Sequence, residues 1–382
     1  MAVRALVLTT TAMLFAPALT ASATASYSIV PSPDRSSGDN VVGGVSASSP
    51  SDGWAVGSFC CATRSSGADT LALHWDGATW QAVPSPAVTD GGDSFTAVAD
   101  LAPTNAWAVG VRNGYDAPMI AHWNGVGWHV VSAPAGVTAF LRGVSADGPN
   151  DVWAVGDDGA DRAVVLRFQG HAWVDVPIPK VGYSDMLQGV KAFSASNVWA
   201  VGDEVVNDRT FRIATLILHW NGYAWQQVPS PSPDPTVDTL HAIAGSPQDL
   251  WAVGQQGQDS GLTGLPPGTR TLTLHWNGQR WRDLQSKDVG NNDTLNAIAA
   301  SGDGAPTAFG GFETTTSGGP VAHTLAESWD GNAWTIIATP NAGRADNVLQ
   351  AAAAVPGSPT IWALGSHYGS GDIKHTLILK GP

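Results

Sequence analysis

Cysteine is nearly absent from this sequence: its 382 residues hold two, Cys60 and Cys61, side by side. A disulfide-built scaffold and a Cys-x-x-Cys metal site are thereby excluded. Positive charge is scarce as well, with 18 Lys and Arg against 32 Asp and Glu and a net charge of −14. Such a surface repels nucleic acid and anionic membrane. Glutamate occurs three times, as Glu204, Glu313 and Glu327, and tyrosine five times. No Gly-x-Ser-x-Gly, His-Glu-x-x-His or phosphate loop is present. No segment repeats with helical period, and past residue 25 no apolar run is long enough to span a bilayer.

What is abundant is tryptophan, 17 residues of it, together with 44 Gly and 25 Pro. The tryptophans fall in two recurring phrases. Trp-Ala-Val-Gly and its variants begin at Trp54, Trp107, Trp153, Trp199, Trp251, Thr307 and Trp362, at spacings of 46 to 56 residues. His-Trp-Asn-Gly-x-x-Trp and its variants run His74–Trp80, His122–Trp128, Arg167–Trp173, His219–Trp225, His275–Trp281 and Ser328–Trp334. The first phrase therefore occurs seven times and the second six. The missing copy lies at the other end of the chain, where Tyr27-Ser28-Ile29-Val30-Pro31-Ser32-Pro33 matches Trp80-Gln81-Ala82-Val83-Pro84-Ser85-Pro86.

Each unit parses into four short strands, A to D, separated by turn signals. In the fifth, Leu240–Ala244, Leu250–Val253, Thr271–Trp276 and Trp281–Leu284 read as strands, with Asn277-Gly278 at the C–D hairpin. The expectation is an all-β, seven-bladed β-propeller of four-stranded antiparallel blades. The N-terminal strand completes the last blade and closes the ring. Residues 1–25 read as a secretory signal, with Arg4, an apolar stretch to about Leu19 and Ala23-Thr24-Ala25 at the cut. Residues 26–382 then form one propeller, exported, released and monomeric.

The hairpin Ser328-Trp329-Asp330-Gly331-Asn332-Ala333-Trp334 resembles the Asp-box type of propeller repeat, and Gly310-Gly311 resembles the double glycine of kelch repeats. The Asp-box hairpin has a residue between Asp and Gly that is missing here, and the other units lack the double glycine. The resemblance implies the propeller fold. Asp-box sialidases use an Arg cluster with a Tyr and carboxylates, which this composition supplies poorly.

Trp at repeat positions is expected to pack between sheets, since burying it is favourable and exposing it costly. The alternative is a lectin in which these rings stack on sugars between blades. His74, His122, His219 and His275 sit one per blade, so they are spread around the ring and do not converge on a metal. Asp52, Asn105, Asp151, Asn197 and Asp249 precede the first phrase by two residues and read as turn caps on the opposite face. No metal and no cofactor is expected.

In a propeller the D–A and B–C loops share the face on which ligands usually bind. There Asp39, Asp93, Asp185, Asp238, Asp293 and Asp346 recur just before strand A. Either each ties down its own loop, or together they form an acidic channel mouth attracting a cation or amine. Tyr115, Phe211 and Tyr368 are further candidates on the variable B–C loops. Cys60 and Cys61, in the first B–C loop, are expected to form a strained vicinal disulfide. The functional expectation is a secreted, non-catalytic binding propeller whose ligand is a glycan or an extracellular protein. A carbohydrate-active enzyme, glycosidase or lyase, with an Asp-based centre at the channel mouth is the alternative.

Overall fold

The computed structural model describes residues 26–60, 67–86, 92–112, 117–206, 209, 211–257, 268–300, 305–343 and 345–382. Its strands form seven separate four-stranded antiparallel sheets, each in the order A-B-C-D. Six blades are continuous in sequence, spanning 40–82, 94–130, 140–175, 184–227, 238–283 and 291–336. The seventh takes strands A to C from Asn347–Ala354, Ile361–Tyr368 and Lys374–Lys380. Its outer strand is Ser28–Ile29, paired as Ser28 with Lys380 and Ile29 with Leu379. The fold is the seven-bladed propeller read from the repeats, with the ring closed by the N-terminal strand.

Packing between blades follows one rule. The first-phrase Trp of each blade receives, edge-on, the ring that opens strand D of the next. Trp225 of blade 4 meets Trp153 of blade 3 at 5.6 Å and 87°, and Trp80 of blade 1 meets Trp362 of blade 7 at 5.3 Å and 77°. Where the sixth first phrase has Thr307, Phe309 supplies the aromatic surface, and Tyr27 packs on it at 5.4 Å and 78°. Edge-to-face pairs of this kind add about 0.5–1.5 kcal/mol to the burial itself. The tryptophans of strands B and D are therefore the packing layer.

The second phrase has its own logic. His74, His122, His219 and His275 stack on the first-phrase Trp of their blade at 4.2–4.6 Å. Each donates Nε2–H to the Asx residue two before that Trp, as His74 does to Asp52 at 2.7 Å and His219 to Asn197 at 2.9 Å. Arg167 reproduces both contacts, with its guanidinium 4.6 Å from the Trp153 ring and a bidentate bond to Asp151. This corrects the turn-cap reading of those Asx residues: their main partner is the strand-C side chain. Beside Asn197, burial holds the His219 imidazole below its ordinary pKa.

The Val-Pro-Ser-Pro tail of strand D also has a partner. A buried Thr on strand C meets its hydroxyl residue in five blades: Thr70 with Ser85, Thr215 with Ser230, Thr271 with Ser286, Thr324 with Thr339 and Thr376 with Ser32. In blades 2 and 3 Thr is replaced by Pro118 and Ala163, and the tail position by Ala133 and Ile178, so both partners vanish together. The Ser32–Thr376 bond, at 2.6 Å, shows the ring sealed by the same lock that finishes each continuous blade carrying the pair.

Candidate functional site

Strand A of every blade carries a β-bulge in its first half. The register slips between Val42 and Gly44, Phe95 and Ala97, Leu141 and Gly143, Leu187 and Gly189, Leu240 and Ala242, Leu295 and Ala297, and Leu349 and Ala351. A bulge bends its strand and re-aims the extra side chain. The extra residues are Gly43, Thr96, Arg142, Gln188, His241, Asn296 and Gln350, and all seven line one cavity of about 490 Å³ along the propeller axis.

The Gly of Trp-Ala-Val-Gly makes this possible. At Gly57 a side chain would collide with the Val41 carbonyl, which the bulge pushes across the neighbouring strand, and the same collision recurs at the matching glycine of each blade. On the far side of the bulge the residues are small because the blades nearly touch. A Cβ on Gly44 would lie 2.7 Å from the Ala97 Cα.

Several ring side chains reach sideways to the next blade. The Thr96 hydroxyl donates to the Leu141 carbonyl at 2.6 Å, the Asn296 amide to Leu349 at 3.0 Å, and His241 Nδ1–H to Leu295 at 3.0 Å. His241 Nε2 accepts from the Thr239 hydroxyl at 3.1 Å, and burial lowers its pKa, so the imidazole is neutral. The channel wall is thus a ring of amides, a hydroxyl and a neutral imidazole. Among the described residues, Arg142 is the one charged side chain lining it.

Arg142 is fixed on two sides. Its guanidinium lies 4.2 Å from the Phe140 ring, and Nε donates to Asp157 at 2.7 Å. Beside this pair stands Asp203 of blade 4, whose carboxyl burial raises to about 7; the Arg142 charge opposes that rise and the Asp157 charge adds to it. Asp157 and Asp203 occupy the same place in successive repeats, directly after Trp-Ala-Val-Gly, where Ser58, Val111, Gln255, Gly311 and Ser366 stand elsewhere. Among the described residues, no three His, Cys, Asp or Glu side chains converge as a metal site.

The acidic residues before strand A sit elsewhere. Asp93, Asp185, Asp238 and Asp293 are buried. Asp185 accepts the Val181 and Gly182 amides, Asp238 the Asp234 amide, and Asp293 the Val289 and Gly290 amides, all within their own D–A loops. Burial raises the Asp238 pKa to about 7, the backbone amide bond opposing it. In blades 1 and 7 this loop-tying position belongs to Asn40 and Asn347, one residue beyond the acids read from the sequence. Asp39 and Asp346 accept backbone amides of the preceding blade's strand C, from Lys374 at 3.0 Å and Ala322 at 2.8 Å. For the five with bonds described here, an acidic ring at the channel mouth gives way to loop ties and blade-to-blade staples.

Of the aromatic candidates, Phe211 is 72% exposed on the blade 4 rim with φ of +48°, a conformation bulky residues rarely adopt. Tyr368 is half-buried under Lys374, whose Nζ lies 5.3 Å from its ring. Tyr115 lies outside the described residues, as does Cys61, so the Cys60–Cys61 bridge does too. Sequence reasoning missed the bulge ring and Arg142. A signal existed: one variable residue always precedes the small residue at 44, 97, 143, 189, 242, 297 and 351, against an otherwise regular apolar strand.

No family model and no curated relative matches this sequence. In three dimensions the chain is similar to YCF48 from Cyanidioschyzon merolae, with a TM-score of 0.56 and 16% identity over 93% of this chain and 98% of that one. It is similar to YCF48 bound to a D1 peptide, at 0.55 and 14% over 93% and 96%. It is also similar to an ulvan lyase, a polysaccharide lyase bound to -[GlcA(1-4)Rha3S]-, at 0.54 and 12% over 89% and 94%. At these identities the likeness is one of fold, and the neighbours span binding propellers and enzymes.

Proposed function

We propose that this chain is an exported, non-catalytic binding propeller that seats a polar ligand, a glycan or a segment of an extracellular protein, in its axial channel. The observation that carries the reading is the bulge ring. Seven matching backbone devices present one residue each to one cavity (Gly, Thr, Arg, Gln, His, Asn and Gln), so the scaffold is constant and the chemistry of the wall is specific. Export rests on the reading of residues 1–25 as a secretory signal. Two of the neighbours, one bound to a peptide and one to a polysaccharide, support a ligand of this kind without choosing between them.

One observation favours the enzyme alternative. Asp203 carries a carboxyl whose pKa burial raises to about 7, next to a second carboxylate, Asp157, and an arginine. Pairs of titratable groups pushed apart in pKa are how acid and base roles are assigned in glycosidases and lyases. The test is a glycan array on the purified protein, followed by mass analysis of the bound sugars. Binding with intact sugars supports the proposal. Binding with shortened or unsaturated products replaces it with the enzyme, and Asp203→Asn becomes the first variant to assay.

A further inference from the structure

Resting on the channel as the binding site, we propose that Arg142 makes the site selective for an acidic oligosaccharide, a glycan carrying hexuronate carboxylates. Its guanidinium is held by the Phe140 ring at 4.2 Å and by Asp157 at Nε alone. Among the described residues no hydrogen bond reaches its two Nη amines. That edge offers two parallel N–H donors, the geometry that binds a planar carboxylate bidentately. Among the described residues it is the only charged side chain on the cavity wall.

The rest of the wall favours a sugar over a peptide. Gln188 and Gln350 carry amides that both donate and accept, matching alternating hydroxyls. A peptide docking as an added strand needs a free sheet edge with open carbonyls. Here the Leu141, Leu295 and Leu349 carbonyls on the inner strands are occupied by Thr96, His241 and Asn296. Nucleic acid is disfavoured as the anion, since one arginine in a chain of net charge −14 neutralises too little of a phosphate backbone.

The probe is a hexuronate trisaccharide, compared by calorimetry with the same trisaccharide after its carboxyl groups are reduced to alcohols. Charge-assisted hydrogen bonds contribute about 1.5–3 kcal/mol, so the acid form should bind at least about tenfold tighter. Arg142→Gln should bring the two to equal affinity. The fold tolerates glutamine at this ring position, since Gln188 and Gln350 hold it in two other blades. Equal binding of both forms by the unmodified protein overturns the role of Arg142 and leaves the channel reading standing. Binding of neither form, with glycans bound elsewhere on the array, overturns the acidic class. Capture of an acidic peptide in place of the trisaccharide also overturns it.

Discussion

Glu327 offers a test of how deeply the blade interfaces are sealed. It lies on strand C of blade 6, at the place held by Leu73, Leu166, Leu218, Leu274 and Leu379 in five other blades. It is completely buried, and its Oε2 accepts the Lys287 backbone amide at 3.2 Å while Oε1 has no partner among the described residues. Burial raises its pKa to about 7, and the nearby Asp288 and Asp293 add to the rise. A carboxyl with a folded-state pKa above its unfolded value binds more protons when folded. Its contribution is fully present below the unfolded pKa and is lost as pH rises to about 7. At about 1.4 kcal/mol per pH unit, the shift from 4.5 to about 7 amounts to roughly 3 kcal/mol. Glu327→Leu should therefore be near neutral at about pH 5 and stabilise by roughly 2–3 kcal/mol at about pH 8. Urea unfolding followed by tryptophan fluorescence reads this as a midpoint shift at unchanged slope. A stabilisation equal at both pH values, or a loss at pH 8, would refute the buried-carboxyl argument.

Asp100 and Asp238 also have pKa values raised to about 7, chiefly by burial, so they act in the same direction. The unmodified protein should melt at a lower temperature at about pH 8 than at about pH 5.5, and a flat profile would contradict these assignments. Trp153→Ala removes a fully buried ring that meets Trp225, Trp220 and Arg167, and should cost about 3–5 kcal/mol. A loss under about 1 kcal/mol would mean that ring is free for a ligand. Deleting residues 26–33 strips Tyr27 from Phe309, the outer strand from Lys374–Lys380 and Ser32 from Thr376, leaving blade 7 with an open edge. Aggregation or a large drop in melting temperature is expected, and a soluble variant with unchanged melting would refute closure by this strand.

The repeats made the fold legible because they encode contacts that recur. Trp-Ala-Val-Gly is the interblade aromatic plus the glycine under the bulge, and Val-Pro-Ser-Pro is the partner of the strand-C threonine. The paired loss of Thr and Ser in blades 2 and 3 could have been read from sequence by comparing units. The site was harder to read because its residues are the ones that vary from unit to unit: Gly43, Thr96, Arg142, Gln188, His241, Asn296 and Gln350 share a place without sharing one residue type. The recurring Asp drew attention because recurrence signals structure. Asp185 and Asp293 show what that structure is, a carboxylate satisfying loop amides. Asp39 and Asp346 were one residue out of register with Asn40 and Asn347, which hold the loop in their blades.

The measurement that bears most directly on the channel as the binding site is a glycan array repeated with Gln350→Trp. Gln350 is exposed in the cavity, so an indole there fills the channel without entering a blade interface. The melting temperature should hold while binding of the sugars captured by the unmodified protein is lost. An unchanged array from a folded Gln350→Trp protein would place the site outside the channel and contradict the account.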